Sequence, residues 1–273
     1  MLVLLIIAFI LLLVIGVPIA VAMGMGAVIA MMSSPHLLIM VPQKMFTTLD
    51  SFSLTAVPLF LFAGELMNCT GITRRIVAFA KSIVGHLRGG LCHASTLAGM
   101  LFAGVSGSAT ADAAAIASTA VPAMEDEGYG RDVAVSVVAA AGTMGPIIPP
   151  SITMVIYSSI TGLSIGALFL AGIVPGVLFG ASQMAVSHFI ARKRGYEPTG
   201  EFQFSNVWKY GKDAALSLGA PVVILLGIVG GAFTPTEAGA VAAAYALFVG
   251  IVNRELTLRK LYLAMLNSGL YSS

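Results

Sequence analysis

Residues 91–123 read LCHASTLAGMLFAGVSGSATADAAAIASTAVPA. Two apolar arms, Leu91–Ala103 and Ala109–Ala123, flank the run Gly104, Val105, Ser106, Gly107, Ser108. Basic residues stand on both sides of the stretch, Arg88 before it and Arg131 after it. Positive residues favour the cytoplasmic side of a membrane. The stretch between them must therefore cross twice, or enter and leave on one side. At about 1.5 Å per residue, arms of this length reach about 20 Å, short of the roughly 30 Å of a hydrocarbon core. The stretch predicts a re-entrant helical hairpin that enters from the cytoplasm, with its tip at Gly104–Ser108.

Lipid as the solvent follows from composition. Hydrophobic residues make up 58% of the 273 and charged residues 10%, where a soluble domain carries roughly 25% charged. So few charges cannot cover a surface in water. Long apolar runs without strict alternation exclude a transmembrane barrel. The net charge of +2 decides nothing by itself. Cys69 and Cys92 lie in or beside apolar runs and read as small packing residues rather than a disulfide. Met1 runs directly into an apolar segment without a basic leader, which reads as a membrane helix.

Outward from the hairpin the chain divides at its breaks. Leu2–Met32 is one apolar run interrupted at Gly16-Val17-Pro18, either a single kinked helix or two short ones. Ser33–Phe52 is more polar and reads as a connection, and Leu54–Met67 is a second membrane element. In Gly71–Arg88, Ile72, Ile76, Phe79, Ile83 and Leu87 recur at helical spacing, with Arg74, Arg75, Lys81 and Arg88 elsewhere. This is an amphipathic helix, lying either in the membrane interface or in a cytoplasmic loop. Val133–Ile160 is broken by Gly145-Pro146-Ile147-Ile148-Pro149-Pro150, and Ile165–Ile190 reads as an ordinary spanning helix. A polar stretch runs to Lys212, and Ala214–Val252 is apolar with a break at Thr234-Pro235-Thr236-Glu237. Gly16-Val17-Pro18 before an Ala-rich helix is similar to Phe233-Thr234-Pro235 before another, which suggests an inverted repeat restarting near Ala214.

Chemistry concentrates at two broken elements. The hairpin tip offers neutral oxygens from Ser106, Ser108 and Thr110 on a glycine-rich backbone. In the second break Pro146, Pro149 and Pro150 lack an N–H, so the carbonyls of Gly142, Gly145 and Pro146 are expected to be free. A free carbonyl in lipid is costly unless something satisfies it, and a hard cation does so. Helix C-terminal ends favour a cation, and N-terminal ends favour an anionic group. A tip facing an unwound helix thus predicts a cation and carboxylate site. Asp112 is expected to cap the second arm and complement its dipole, Glu65 to be a structural hydrogen-bond partner, and Glu237 to complement the start of its helix.

These residues resemble the large membrane subunit (DctM-like) of the tripartite ATP-independent periplasmic (TRAP) transporters. The resemblance is carried by Pro58–Met67, Leu101–Asp112, Gly145–Ser151, Ile165–Gly176 and Phe233–Ala238. It implies an all-α polytopic protein of the bacterial inner membrane, an inverted-repeat elevator-type carrier with a re-entrant hairpin and a broken transmembrane helix. Scaffold helices would occupy 1–70, an interfacial arm 71–90, the hairpin 91–124, and a broken helix plus a spanning helix 133–190. A cytoplasmic loop would follow at 191–213, and the start of a second repeat at 214–273. The resemblance further implies uptake of an organic acid anion (C4-dicarboxylate, sialic acid or a similar carboxylate) by sodium symport. The partners would be a periplasmic substrate-binding protein and a small four-helix membrane subunit, in membrane lipid, with no nucleic acid. Na⁺ would be the coupling ion, with no cofactor, other metal or catalytic residue. The cation would lie among Ser106, Gly107, Ser108, Gly145, Ile148 and Pro150, and the substrate near Thr110, Asp112, Thr143 and Ser151. Members of that family continue beyond Ser273 with a second hairpin and a second broken helix, so the chain reads as a fragment or a truncated product.

Two rival readings remain at this level. Gly104-Val105-Ser106-Gly107 has the form of an intramembrane serine protease nucleophile, with His188 as a distant base. The other rival is an ion channel or a purely structural membrane subunit.

Overall fold

The computed structural model describes residues 1–32, 38–50 and 52–272. Among them the chain is all α, apart from one 3₁₀ turn and an isolated bridge between Arg88 and Pro198. It forms two compact units, Met1–Ser51 and Phe52–Ser273.

In the first unit, Leu2–Met32 is two helices, α1 (Leu2–Val14) and α2 (Ile19–Met31). Gly16 turns between them at φ +90°, and Pro18 caps α2. A Cβ on Gly26 would stand 3.5 Å from the Phe9 nitrogen, so small residues let the two backbones approach. The expected connection 33–52 contains a third helix, α3 (Met40–Leu49). Its Pro42 falls in the first helical turn, where a missing N–H costs no bond, and so did not break it. Ser33–Leu37 and Ser51, the rest of that connection, lie outside the described residues.

The second unit begins with α4 (Ala56–Cys69) and α5 (Ile72–Val84), which meet at 71° across Gly71 at φ +63°. Arg75 pairs with Glu255 at 2.7 Å, and Lys81 with Glu127 at 2.8 Å. The hairpin follows as α6 (Gly90–Ser106) and α7 (Ala109–Asp126). Its arms are longer than expected. Seventeen and 18 residues reach about 26 Å, because the helix continues through Gly104 to Ser106, buried on its flanks by Pro221 and Pro149. Entry from one side therefore rests on the charge rule, not on arm length.

Next come α8 (Arg131–Gly142), the irregular stretch 143–151, and α9 (Ile152–Thr161). The long helix α10 (Ile165–Arg194) then runs 30 residues. At its end Arg194 pairs with Asp132 at 2.6 Å, and Gly130 donates its N–H to the Tyr196 hydroxyl at 3.0 Å. Helix α11 (Phe204–Val229) starts ten residues before the apolar run that marked it, so the expected 191–213 loop is largely helix. Its first turns carry exposed Trp208 and Tyr210, with Lys212 lying 5.1 Å above the Trp208 ring. Apolar content found the lipid-embedded part of the helix and missed this aromatic and basic end. Helix α12 (Pro235–Val252) begins with a capping box in which Thr234 and Glu237 bond each other's backbone N–H, the structural role expected for Glu237. Helix α13 (Leu258–Ser272) follows. By length and apolar content α10, α11 and α12 are long enough to cross a membrane.

α6 is the hub of this unit. It packs on α4, α5, α8, α10 and α11, and Phe102 is fully buried. A Cβ on Gly99 would lie 2.8 Å from that of Ala141 on α8. Lipid tails are as apolar as leucine, so close packing of small residues, not exclusion of water, holds these helices together.

Candidate functional site

The hairpin tip is built from one turn of sequence. Gly107 ends α6 at φ +63°, a left-handed conformation that glycine adopts without strain, and donates to the Ala103 carbonyl at 3.1 Å. Ser108 then turns extended and starts α7, and its N–H donates to the Ser106 hydroxyl at 3.1 Å. Asp112 stands in the first turn of α7, where an acid complements the helix dipole as expected, but its side chain makes no capping hydrogen bond. Its Oδ1 accepts from the Ser106 hydroxyl across the tip. The reason is register: four residues into α7, its side chain points back at the end of α6 rather than along its own axis.

The proline break lies directly against this tip. A Cβ on Gly107 would stand 2.9 Å from the Pro150 carbonyl oxygen and 3.0 Å from the Ile152 nitrogen. A Cβ on Gly145 would stand 3.0 Å from the Ser108 carbonyl carbon and 2.5 Å from Asp112 Oδ2. Absent side chains at these glycines are what let the two breaks touch. Asp112 is fully buried, and its Oδ2 has no hydrogen-bond partner among the described residues. An unpaired carboxylate oxygen in a dry interior is expensive. Here it faces Gly145, beside backbone groups of both breaks.

The structure thus gathers Ser106, Gly107, Ser108, Asp112, Gly145 and Pro150. Ile148 lies between Gly145 and Pro150 in the same break, with its side chain packed on Gly176 of α10. The expected free carbonyls are mostly taken. Gly142 accepts from the Gly145 N–H at 3.2 Å, and Pro146 accepts from the Ser151 hydroxyl at 2.8 Å. A side chain and a tightened turn replaced the donors that proline removed. Ser151 also caps α9 by accepting from the Met154 N–H at 3.4 Å. The Thr143 hydroxyl donates to the Ala140 carbonyl at 2.7 Å. Both hydroxyls thus donate to carbonyls of their own stretch of chain.

Thr110 behaves differently: it is exposed and lines a cavity of about 650 Å³. The cavity runs along α7 past Ser118 and Thr119, with Glu65, Asn68 and Arg74 on its other walls. Glu65 accepts from the Asn267 amide at 3.3 Å, the hydrogen-bond role expected for it. Sequence reasoning missed Asn68, Arg74, Ser118 and Thr119. Two spacings carried the signal: Thr110, Ala114 and Ser118 recur every fourth residue, and Asn68 stands three after Glu65, each set on one helix face. Ser106 has Asp112 as its hydroxyl's partner, and His188 instead stands 6.0 Å from the His93 ring. No serine–histidine pair forms at the tip among the described residues.

A family model described as "Tripartite ATP-independent periplasmic transporter, DctM component" matches residues 6–273. The sialic acid TRAP transporter large permease protein SiaM of Vibrio cholerae is 47% identical over 218 residues, 80% of this chain and 51% of that protein. The sialic acid TRAP transporter permease protein SiaT of Haemophilus influenzae is 44% identical over 221 residues, 81% of this chain and 36% of that one. The C4-dicarboxylate TRAP transporter large permease protein DctM of Pseudomonas aeruginosa is 42% identical over 245 residues, 89% of this chain and 57% of its own length. The chain spans about half the length of the curated relatives it matches. These relatives are named as permeases, not as enzymes.

Proposed function

We propose, because this chain belongs to the DctM component family of tripartite ATP-independent periplasmic transporters, that it forms part of a permease that takes up an organic acid anion by sodium symport. The observation that carries the proposal is the meeting of the two breaks, with the unpartnered Asp112 Oδ2 facing Gly145. A hard monovalent cation takes oxygen ligands and offsets a buried carboxylate. Ser106, Asp112 and the tip and break carbonyls would hold Na⁺, with the anion beside it at Ser108 and Thr110. Occupation by one ion would neutralise the site and make it receptive to an anion, which is coupling in its simplest form.

The names of its relatives favour a carboxylate of the sialic acid or C4-dicarboxylate kind. A periplasmic binding protein would deliver it, and a small four-helix subunit would brace the scaffold, in the bacterial inner membrane. The hairpin, the broken helix and α10 would move together as an elevator against that scaffold, with the hairpin re-entering from the cytoplasm. The test is uptake of labelled N-acetylneuraminate and succinate by the complete permease in proteoliposomes with its binding protein. Uptake that requires an inward sodium gradient is expected. Uptake undiminished without the gradient contradicts coupling, and conductance without the binding protein makes the assembly a channel.

A further inference from the structure

We propose that the cavity along α7 is an anion passage whose charge selection is set by Arg74. Three observations carry this. The cavity is about 650 Å³, within the range of small-molecule sites. The exposed stripe of α7 that lines it, Thr110, Ala114 and Ser118, is made of small residues and carries two hydroxyls. The two neighbouring arginines of α5 are also used differently. Arg75 is bound to Glu255 at 2.7 Å, whereas the guanidinium of Arg74 has no hydrogen bond or ion pair to another described residue.

Glu65 lines the same cavity, yet Glu65 and Arg74 form no ion pair with each other. Arg74 is thus left to attract a carboxylate. Glu65, Asn68 and Asn267 accept or donate hydrogen bonds to hydroxyl and amide groups on the same molecule. The ligand class is a small organic anion that carries such groups beside its carboxylate. On its other side Arg74 lines a second cavity with Asp213, Glu255 and Lys260, where Lys260 is held by the Glu255 carbonyl at 2.9 Å. The passage deepens the transport reading above and rests on it, but its charge selection is measurable without a substrate.

The experiment uses the complete permease complex in inside-out membrane vesicles, with Cys69→Ser and Cys92→Ala as background and Ser118→Cys as reporter. Modification rates are compared for the anionic sulfonatoethyl and the cationic trimethylammonioethyl methanethiosulfonates. Arg74→Gln is expected to lower the anionic-to-cationic rate ratio about five-fold, as one unit charge across several ångströms of water does for reagents of opposite sign. Arg75→Gln should change it little. An unmoved ratio in Arg74→Gln overturns the proposal, as does a reporter that neither reagent reaches. Thr110→Cys replaces Ser118→Cys if the latter fails to assemble. Sodium-driven N-acetylneuraminate uptake by the same complex separates the two readings. Uptake with an unmoved ratio removes Arg74 and leaves the permease. A moved ratio without uptake removes the permease and leaves the anion passage.

Discussion

The two arms of the hairpin, α6 and α7, are 17 and 18 residues long, small and apolar, and joined at one glycine. Fourteen residues of α6 are buried, but only Asp112, Ile116, Ala120 and Met124 of α7, one every fourth residue. α6 is held on all sides and serves as a post. α7 is held by one stripe and shows the opposite one to a cavity. The hairpin thus divides its work: one arm fixes the position of the tip, and the other exposes a face of alanines and hydroxyl side chains that starts at the same tip.

The largest expected effect breaks the post. Gly99→Leu drives a side chain into the Ala141 backbone and methyl group. Overpacking of this kind costs about 1–3 kcal/mol or more, and the complex should lose its monodisperse peak in fluorescence-detected size-exclusion chromatography. Ala114→Leu places the same side chain on the free stripe of α7. Elution and thermal stability should match the parent, while uptake falls steeply because the cavity is filled. Equal loss of fold in both variants would erase the difference between the arms. Next comes the joint itself. Gly107→Ala puts a Cβ at φ +63° and 2.9 Å from the Pro150 oxygen. The left-handed backbone alone costs about 1–2 kcal/mol, so a lowered melting temperature with reduced uptake is expected.

The smallest effect sharpens the support of α6 from outside. Arg194 holds the Asp132 carboxyl below the usual carboxylate range, tying the start of α8 to the end of α10. A depressed carboxylate contributes stability above its unfolded value, about pH 4, and loses it as pH falls through the lower folded value. The parent should be slightly more stable than Asp132→Asn from neutral pH down to about pH 4, with melting curves converging below that. The pair is exposed, so the shift in melting temperature should be small and should shrink further in high salt.

Much of this was legible in the sequence. Glycines and prolines marked both breaks, because backbone chemistry punctuates a helix whatever surrounds it. Thr234-Pro235-Thr236-Glu237 marked a helix start for the same reason, although its capping box emerged only in the structure. What was not legible depended on partners. In lipid, apolar residues face either tails or protein, so α6 and α7 look alike until their neighbours are known. Asp112 stood out beside the tip, but its turn toward Ser106 depends on tip geometry that no spacing encodes. The bonds of the Ser151 and Thr143 hydroxyls to the Pro146 and Ala140 carbonyls likewise depend on how the break folds back on itself. Arg74 and Arg75 are neighbours of identical type, and only the fold sends one to Glu255 and the other to the cavity.

The proposed cation site is the meeting of tip and break, with Asp112 at its centre. Sodium activation of uptake by the complete permease, measured with Asp112→Asn against the parent, tests it most directly. A folded complex is expected whose sodium activation is weakened at least ten-fold or abolished, in line with the loss of a buried charge on the ion. Uptake with the parent's sodium activation in the Asp112→Asn complex would contradict it.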